Sequence, residues 1–152
     1  MPGAYHYLDD RDVVVSTYWG AISLVDILET ILHRVGELPE HHPKVSVIDL
    51  SAAKWTEHPA KFEHREMERL RPALAPPKVR TVLIAPGDFF YGFARMYAIM
   101  HVIYGAANVD VVRTWGEAAK VLGVDLSAAE AWSKDRVTQE EDTQQTTRIP
   151  KP

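Results

Sequence analysis

At 152 residues, with a net charge of −4 and no cysteine, the chain has the size of one domain and no means for disulfides, thiolate metal sites or thiolate nucleophiles. A domain of this length buries roughly 68–70% of its unfolded surface, enough for a sizeable core. No long basic block is present, so nucleic acid is not an expected partner. No apolar run approaches about 18 residues free of charge, and Met1-Pro2-Gly3-Ala4-Tyr5-His6 has neither a charged nor an apolar leader region, which points to a cytoplasmic protein with no membrane span.

Tyr5–Leu8 and Asp12–Trp19 are β-like runs on either side of the polar turn Asp9-Asp10-Arg11-Asp12, which predicts an antiparallel hairpin ended by Gly20. Ser23 then reads as an N-cap with Asp26 three residues on. Leu24, Ile27, Leu28, Ile31, Leu32 and Val35 follow at helical spacing up to Gly36, an amphipathic helix. Val45–Leu50 reads as a buried strand, followed by a loop through Trp55-Thr56-Glu57-His58. Pro59 opens a charged surface helix to about Arg71.

The stretch that organises the chain comes next. Val79–Ala85 is apolar without alternation, the mark of a strand covered on both faces. Pro86-Gly87-Asp88 ends it. In the predicted helix that follows, Phe89, Phe93, Met96, Tyr97, Met100 and Tyr104 form one stripe, while Arg95 and His101 are the only strongly polar side chains. A helix apolar on nearly every side is shielded by other elements, by a partner subunit or by a bound small molecule. Val109–Val112 is a further strand. Thr114–Glu117 is a capping box opening a helix through Leu122 to Gly123, and Ser127–Glu130 has the pattern of a second box. From Thr138 the composition is almost without apolar residues, which argues for a mobile tail.

The order of these elements resembles the SpoIIAA-like fold of anti-sigma-factor antagonist (STAS) domains and of a bacterial STAS/SEC14-like group. The most specific piece is Tyr91-Gly92-Phe93-Ala94-Arg95-Met96-Tyr97, similar to the YGLARMY stretch of that group, with Val111-Val112-Arg113 and Glu117-Ala118-Ala119 at matching distance. The resemblance covers roughly residues 5–124 and implies an α/β fold. Its mixed sheet has about five strands, a hairpin followed by strand–helix crossovers, under about four helices. It divides the chain into a STAS-like domain (5–124), a helical extension (125–137) and a polar mobile tail (138–152). It implies no activity of its own. In the antagonists a serine of an Asp-Ser-Ser-Gly motif is phosphorylated; the matching positions here are Glu57-His58-Pro59-Ala60, without a hydroxyl, and Ser51 and Thr56 are the nearest alternatives.

Among candidate sites, Asp88 lies at the end of a parallel strand, where open α/β sheets hold ligands, and Arg95 is a solitary cation on an apolar helix. A ligand site of Asp88, Phe90, Tyr91, Arg95 and Tyr97 follows, the arginine on an anionic group and the aromatics on an apolar body. Against it stands the structural role of Asp88 as helix cap and of Arg95 as half of an ion pair. His41, His42 and His58 are loop histidines without the spacing of a metal site, and His64-Arg65-Glu66 matches H-x-E without the cysteines a zinc deaminase needs, so no metal or cofactor is expected. The sequence reading is a non-enzymatic, regulatory module binding a small apolar or lipid-like ligand, or a protein partner, at residues 89–104, with homo-oligomerisation expected. Its alternatives are a structural homodimer without ligand and a small hydrolase or isomerase using His58 with Glu57, or Asp88 with Arg95.

Overall fold

The computed structural model describes residues 2–8, 12–37, 43–56, 79–88, 91–92 and 109–147. Its elements are β1 (Gly3–Leu8), β2 (Val13–Ile22), α1 (Leu24–Glu37), β3 (Val45–Trp55), β4 (Arg80–Ile84), β5 (Val109–Val112), α2 (Trp115–Leu122) and α3 (Ser127–Thr147). The strands form one five-stranded sheet in the order β1-β2-β3-β4-β5. The β1–β2 pair is the antiparallel hairpin; β2–β3, β3–β4 and β4–β5 are parallel. The α/β class and the five-stranded mixed sheet therefore stand as the sequence implies. The predicted helix over 59–71 lies outside the described residues, as does that over 89–104 apart from Tyr91 and Gly92.

Alternation along each strand divides the core in two. On one face Val15, Val47, Val82 and Ile84 pack with Val112, Trp115, Ala118, Leu126 and Ala129, so α2 and α3 cover it. On the other, Tyr18, Ile22, Ile48, Leu50 and Leu83 pack with Ile27 of α1 and with Tyr91. Burial on both sides explains why β4 reads as a continuous apolar run and β3 as a buried strand. The edge strand β1 lies so close to α1 that a Cβ at Gly3 would sit 2.7 Å from the buried Tyr18 ring and 3.1 Å from Thr30 Oγ1. Burial pushes the Tyr18 phenol up to about 12.

Two strands run past their predicted ends. Thr17 faces Asp49 but Trp19 faces Ala52, so β3 carries one more residue than β2 between these pairs. This bulge at Leu50–Ser51 lets β3 continue to Trp55 where a loop was expected. Gly20 does not end β2; with φ +66, a conformation glycine adopts without a Cβ clash, it carries the strand on to Ile22.

The helix starts follow the local chemistry. Ser23 N–H donates to Asp26 Oδ2 at 2.8 Å, and Asp26 N–H returns to Ser23 Oγ at 3.4 Å. Thr114 caps α2, its hydroxyl accepting from Glu117 N–H at 3.1 Å, and Gly123 closes the helix at φ +65. The second expected box is not formed. Glu130 pairs with Lys134 at 3.2 Å, and Asp125 takes over the capping role by accepting from Ser127 N–H at 2.9 Å and Ser127 Oγ–H at 2.6 Å. The segment from Thr138, for which the composition argued a mobile tail, continues α3 as helix to Thr147. Threonine hydroxyls donate to carbonyls one turn back (Thr138, Thr143, Thr146, Thr147), bonds that satisfy the hydroxyls without strengthening the helix, while the i,i+4 pair of Arg136 with Glu140 at 2.9 Å supports it.

The bonds from the Ser127 hydroxyl and then from its backbone N–H hold the Asp125 carboxyl below the usual aspartate range. A folded-state pKa below the unfolded one gives stability that is present above the ordinary aspartate pKa and is lost as pH falls through the lowered value. Asp125→Ala is therefore expected to unfold at lower denaturant than the parent at neutral pH, with the two midpoints converging in acid. A constant gap across the titration would contradict the capping role.

Candidate functional site

The C-terminal ends of β4 and β5 meet beside the start of α2. Ala85 N–H still donates to Val112 O at 2.9 Å, which fixes the strand ends against each other. Beyond that bond the two chains diverge. Pro86-Gly87 turns into a helical segment whose first turn is closed by Tyr91 N–H on Gly87 O at 2.8 Å, so Asp88 is the first helical residue and Gly87 stands at the cap. On the β5 side, Arg113 occupies the single position between the strand and the cap Thr114. Glu117 reaches back and accepts Arg113 N–H at 2.8 Å, so the backbone that carries the guanidinium is tied to the first turn of α2.

The Arg113 side chain then joins the two strand ends. Its Nη1 donates to Asp88 Oδ1 at 2.6 Å and lies 3.3 Å from Pro86 O, and the guanidinium carbon stands 4.2 Å from the centroid of the Tyr91 ring. Tyr91 in turn packs against the buried cluster beneath α1. The Arg113 side chain is 41% exposed and that of Asp88 is 94% exposed. The carbonyl and the ring thus support the cation from the protein side, while its carboxylate partner is on the solvent side. An exposed ion pair of this kind is worth roughly 0.2–1 kcal/mol. A stronger anion has little to displace.

Of the predicted ligand-binding residues, Asp88 and Tyr91 are brought together, by a side chain the sequence reading did not select. Phe90, Arg95 and Tyr97 lie outside the described residues, as do His41, His42, Glu57, His58 and His64. Asp88 is the first helical residue rather than the cap, and among the described residues its partner is Arg113. The nearest hydroxyls to the missing phosphoserine position are both engaged. Ser51 Oγ–H donates to Asp49 Oδ1, and Thr56 Oγ1–H donates to Ile22 O at 2.9 Å. Among the described residues no group of three histidine, aspartate or glutamate side chains is placed to hold a metal, and no helix is long and apolar enough to cross a membrane.

A hairpin followed by parallel crossovers, covered by helices on both faces, defines an α/β protein built on one mixed five-stranded sheet. No family model and no curated protein matches the sequence. Among solved structures, the chain is similar to the anti-sigma factor antagonist SpoIIAA in its unphosphorylated form, at 12% identity and a TM-score of 0.39, over 79% of this chain and 96% of that one. No residue role is carried over from it.

Proposed function

We propose that the chain is a non-enzymatic, STAS-like regulatory module that binds a small, largely apolar ligand carrying an anionic group. The observation that supports this reading is the Arg113 guanidinium, backed by Pro86 O and the Tyr91 ring and open to solvent at the C-terminal ends of two parallel strands. Ligands of open α/β sheets collect at such strand ends. Arg113 takes the anion-holding role that the sequence assigned to Arg95, and Asp88 guards it until the ligand's own carboxylate or phosphate takes over. The apolar body lies along residues 89–104, whose sequence has more oily side chains than covering a sheet requires. Acid–base chemistry has less support, because Asp88 is ion-paired with Arg113 and faces solvent.

Native mass spectrometry of freshly purified full-length protein is the direct test. A co-purified small molecule is expected on the parent chain. Its occupancy in Arg113→Ala should fall about 10–100-fold, the equivalent of the roughly 1.5–3 kcal/mol carried by a hydrogen bond to a charged group. A parent chain that carries no adduct and, after delipidation, binds no hydrophobic dye would overturn the proposal. If that protein also runs as a tight dimer, the structural homodimer takes its place.

A further inference from the structure

Leu8 and Val13, paired across the hairpin, stand at the end of the sheet opposite to Arg113, where β2 begins. Val13 is 5% exposed and lies two residues before Val15, on the face that α2 and α3 cover. Here the chain leaves a hollow of about 260 Å³, lined by Leu8, Val13, Val124, Asp125, Ala128 and Ala129. It exists because the first turn of α3 brings two alanines to a place where larger side chains would reach the strands. Asp125 is the single charged residue among the six. Its Oδ1 accepts the N–H of Ser127 at 2.9 Å and the hydroxyl at 2.6 Å, which fixes the carboxylate, while Oδ2 accepts from no described residue. The same two bonds keep the group ionised at neutral pH.

We propose that this hollow is a binding site for a small primary amine on an apolar body, with the body between Leu8, Val13 and Val124 and the ammonium group on Asp125. Size sets the body. An apolar cavity of about 150 Å³ takes a benzene molecule, so the larger volume here admits one ring with a short aminomethyl arm. Drug-sized ligands need sites from about 300 Å³ upward and do not fit. Charge sets the arm. An anion would meet the Asp125 carboxylate, and a neutral group would take the place of its water without replacing the attraction. An ammonium group makes a charge-assisted bond with the oxygen that Ser127 leaves open. Because the carboxylate is exposed, water and salt screen that attraction, and the apolar contacts supply most of the affinity. The lining comes from the hairpin end on one side and from the entry to α3 on the other, so an occupant joins two parts of the chain that are distant in sequence.

Titration of the full-length chain with benzylamine at low salt, followed by amide chemical shifts, tests this, with benzyl alcohol as the uncharged analogue. Saturable shifts are expected at Leu8, Val13 and residues 124–129, and the amine should bind about threefold more tightly than the alcohol. Asp125→Asn keeps an acceptor for Ser127 and removes the charge, so it should erase that preference while the alcohol binds as before. Ala128→Leu, at an exposed helical position, fills the hollow and should abolish binding of both probes. Shifts spread over the surface without saturation, equal affinity for amine and alcohol in the parent, or undiminished binding in Ala128→Leu would each overturn the site. None of these outcomes depends on Arg113, so the two ligand sites fail independently.

Discussion

Replacing Trp115 by alanine is expected to destabilise the protein by about 3–5 kcal/mol, the range for deleting a buried tryptophan. Trp115 is 8% exposed and is the first residue of α2. It fills the space between α2 and the sheet in the cluster of Val82, Ile84, Val112, Ala118, Leu126 and Ala129. Those neighbours come from two strands, two helices and the segment that joins the helices, so the site cannot close by moving one side chain. Total stabilities of natural domains lie near 5–15 kcal/mol, so the variant is expected to be partly unfolded at room temperature. Because Trp115 stands two positions from Arg113, the folded fraction should also hold its ligand less tightly. Urea denaturation checks the first effect. The control is Arg80→Ala, which among the described residues removes the exposed 3.9 Å contact with Asp110 and should stay within about 0.5 kcal/mol of the parent. Equal losses in the two variants would show that this face is not close-packed.

What could be read from the sequence was what local chemistry decides. The Thr114–Glu117 box and Gly123 bound α2 as expected, and the Ser23–Asp26 pair starts α1 as expected. The β5 bounds also agree, because a short apolar run between Gly105 and the cap has no competing period. What could not be read depends on residues far apart in the chain. The bulge in β3 arises from its pairing with β2, and nothing within Asp49-Leu50-Ser51 announces it. Along α3 it is the i,i+4 ion pairs Glu130–Lys134 and Arg136–Glu140 that favour helix, which a count of apolar residues does not register. Arg113 was legible only as part of a motif. Its carboxylate partner lies 25 positions earlier, and only the parallel pairing of β4 with β5 brings the two together. Asp88 and Tyr91 were visible as candidates, and the cation that joins them was not.

Asp49→Ala is expected to cost about 3 kcal/mol, nearly as much as the tryptophan, although it deletes only a short polar side chain. The bulge explains why. The extra residue in β3 takes Ser51 N–H out of the ladder, and Asp49 Oδ1 accepts it at 2.9 Å together with the Ser51 hydroxyl. The other oxygen accepts Ser133 Oγ–H from α3. One carboxylate thus satisfies three donors, and within the described residues its partners are all uncharged. Its removal strands the fully buried Ser133 hydroxyl, at about 1–3 kcal/mol, and leaves a hole under α3, while the Ser51 amide, in an exposed residue, turns to water. Asp49→Asn keeps the shape and one acceptor oxygen, so its loss should be near 1 kcal/mol. The comparison separates the bulge from the Ser133 contact. In a double-mutant cycle, Ser133→Ala on the Asp49→Ala background should show a coupling of about 1–2 kcal/mol, because the hydroxyl has already lost its acceptor. Full additivity would mean that Ser133 and Asp49 do not meet in solution, and the loss in Asp49→Ala would then belong to Ser51 and the bulge alone.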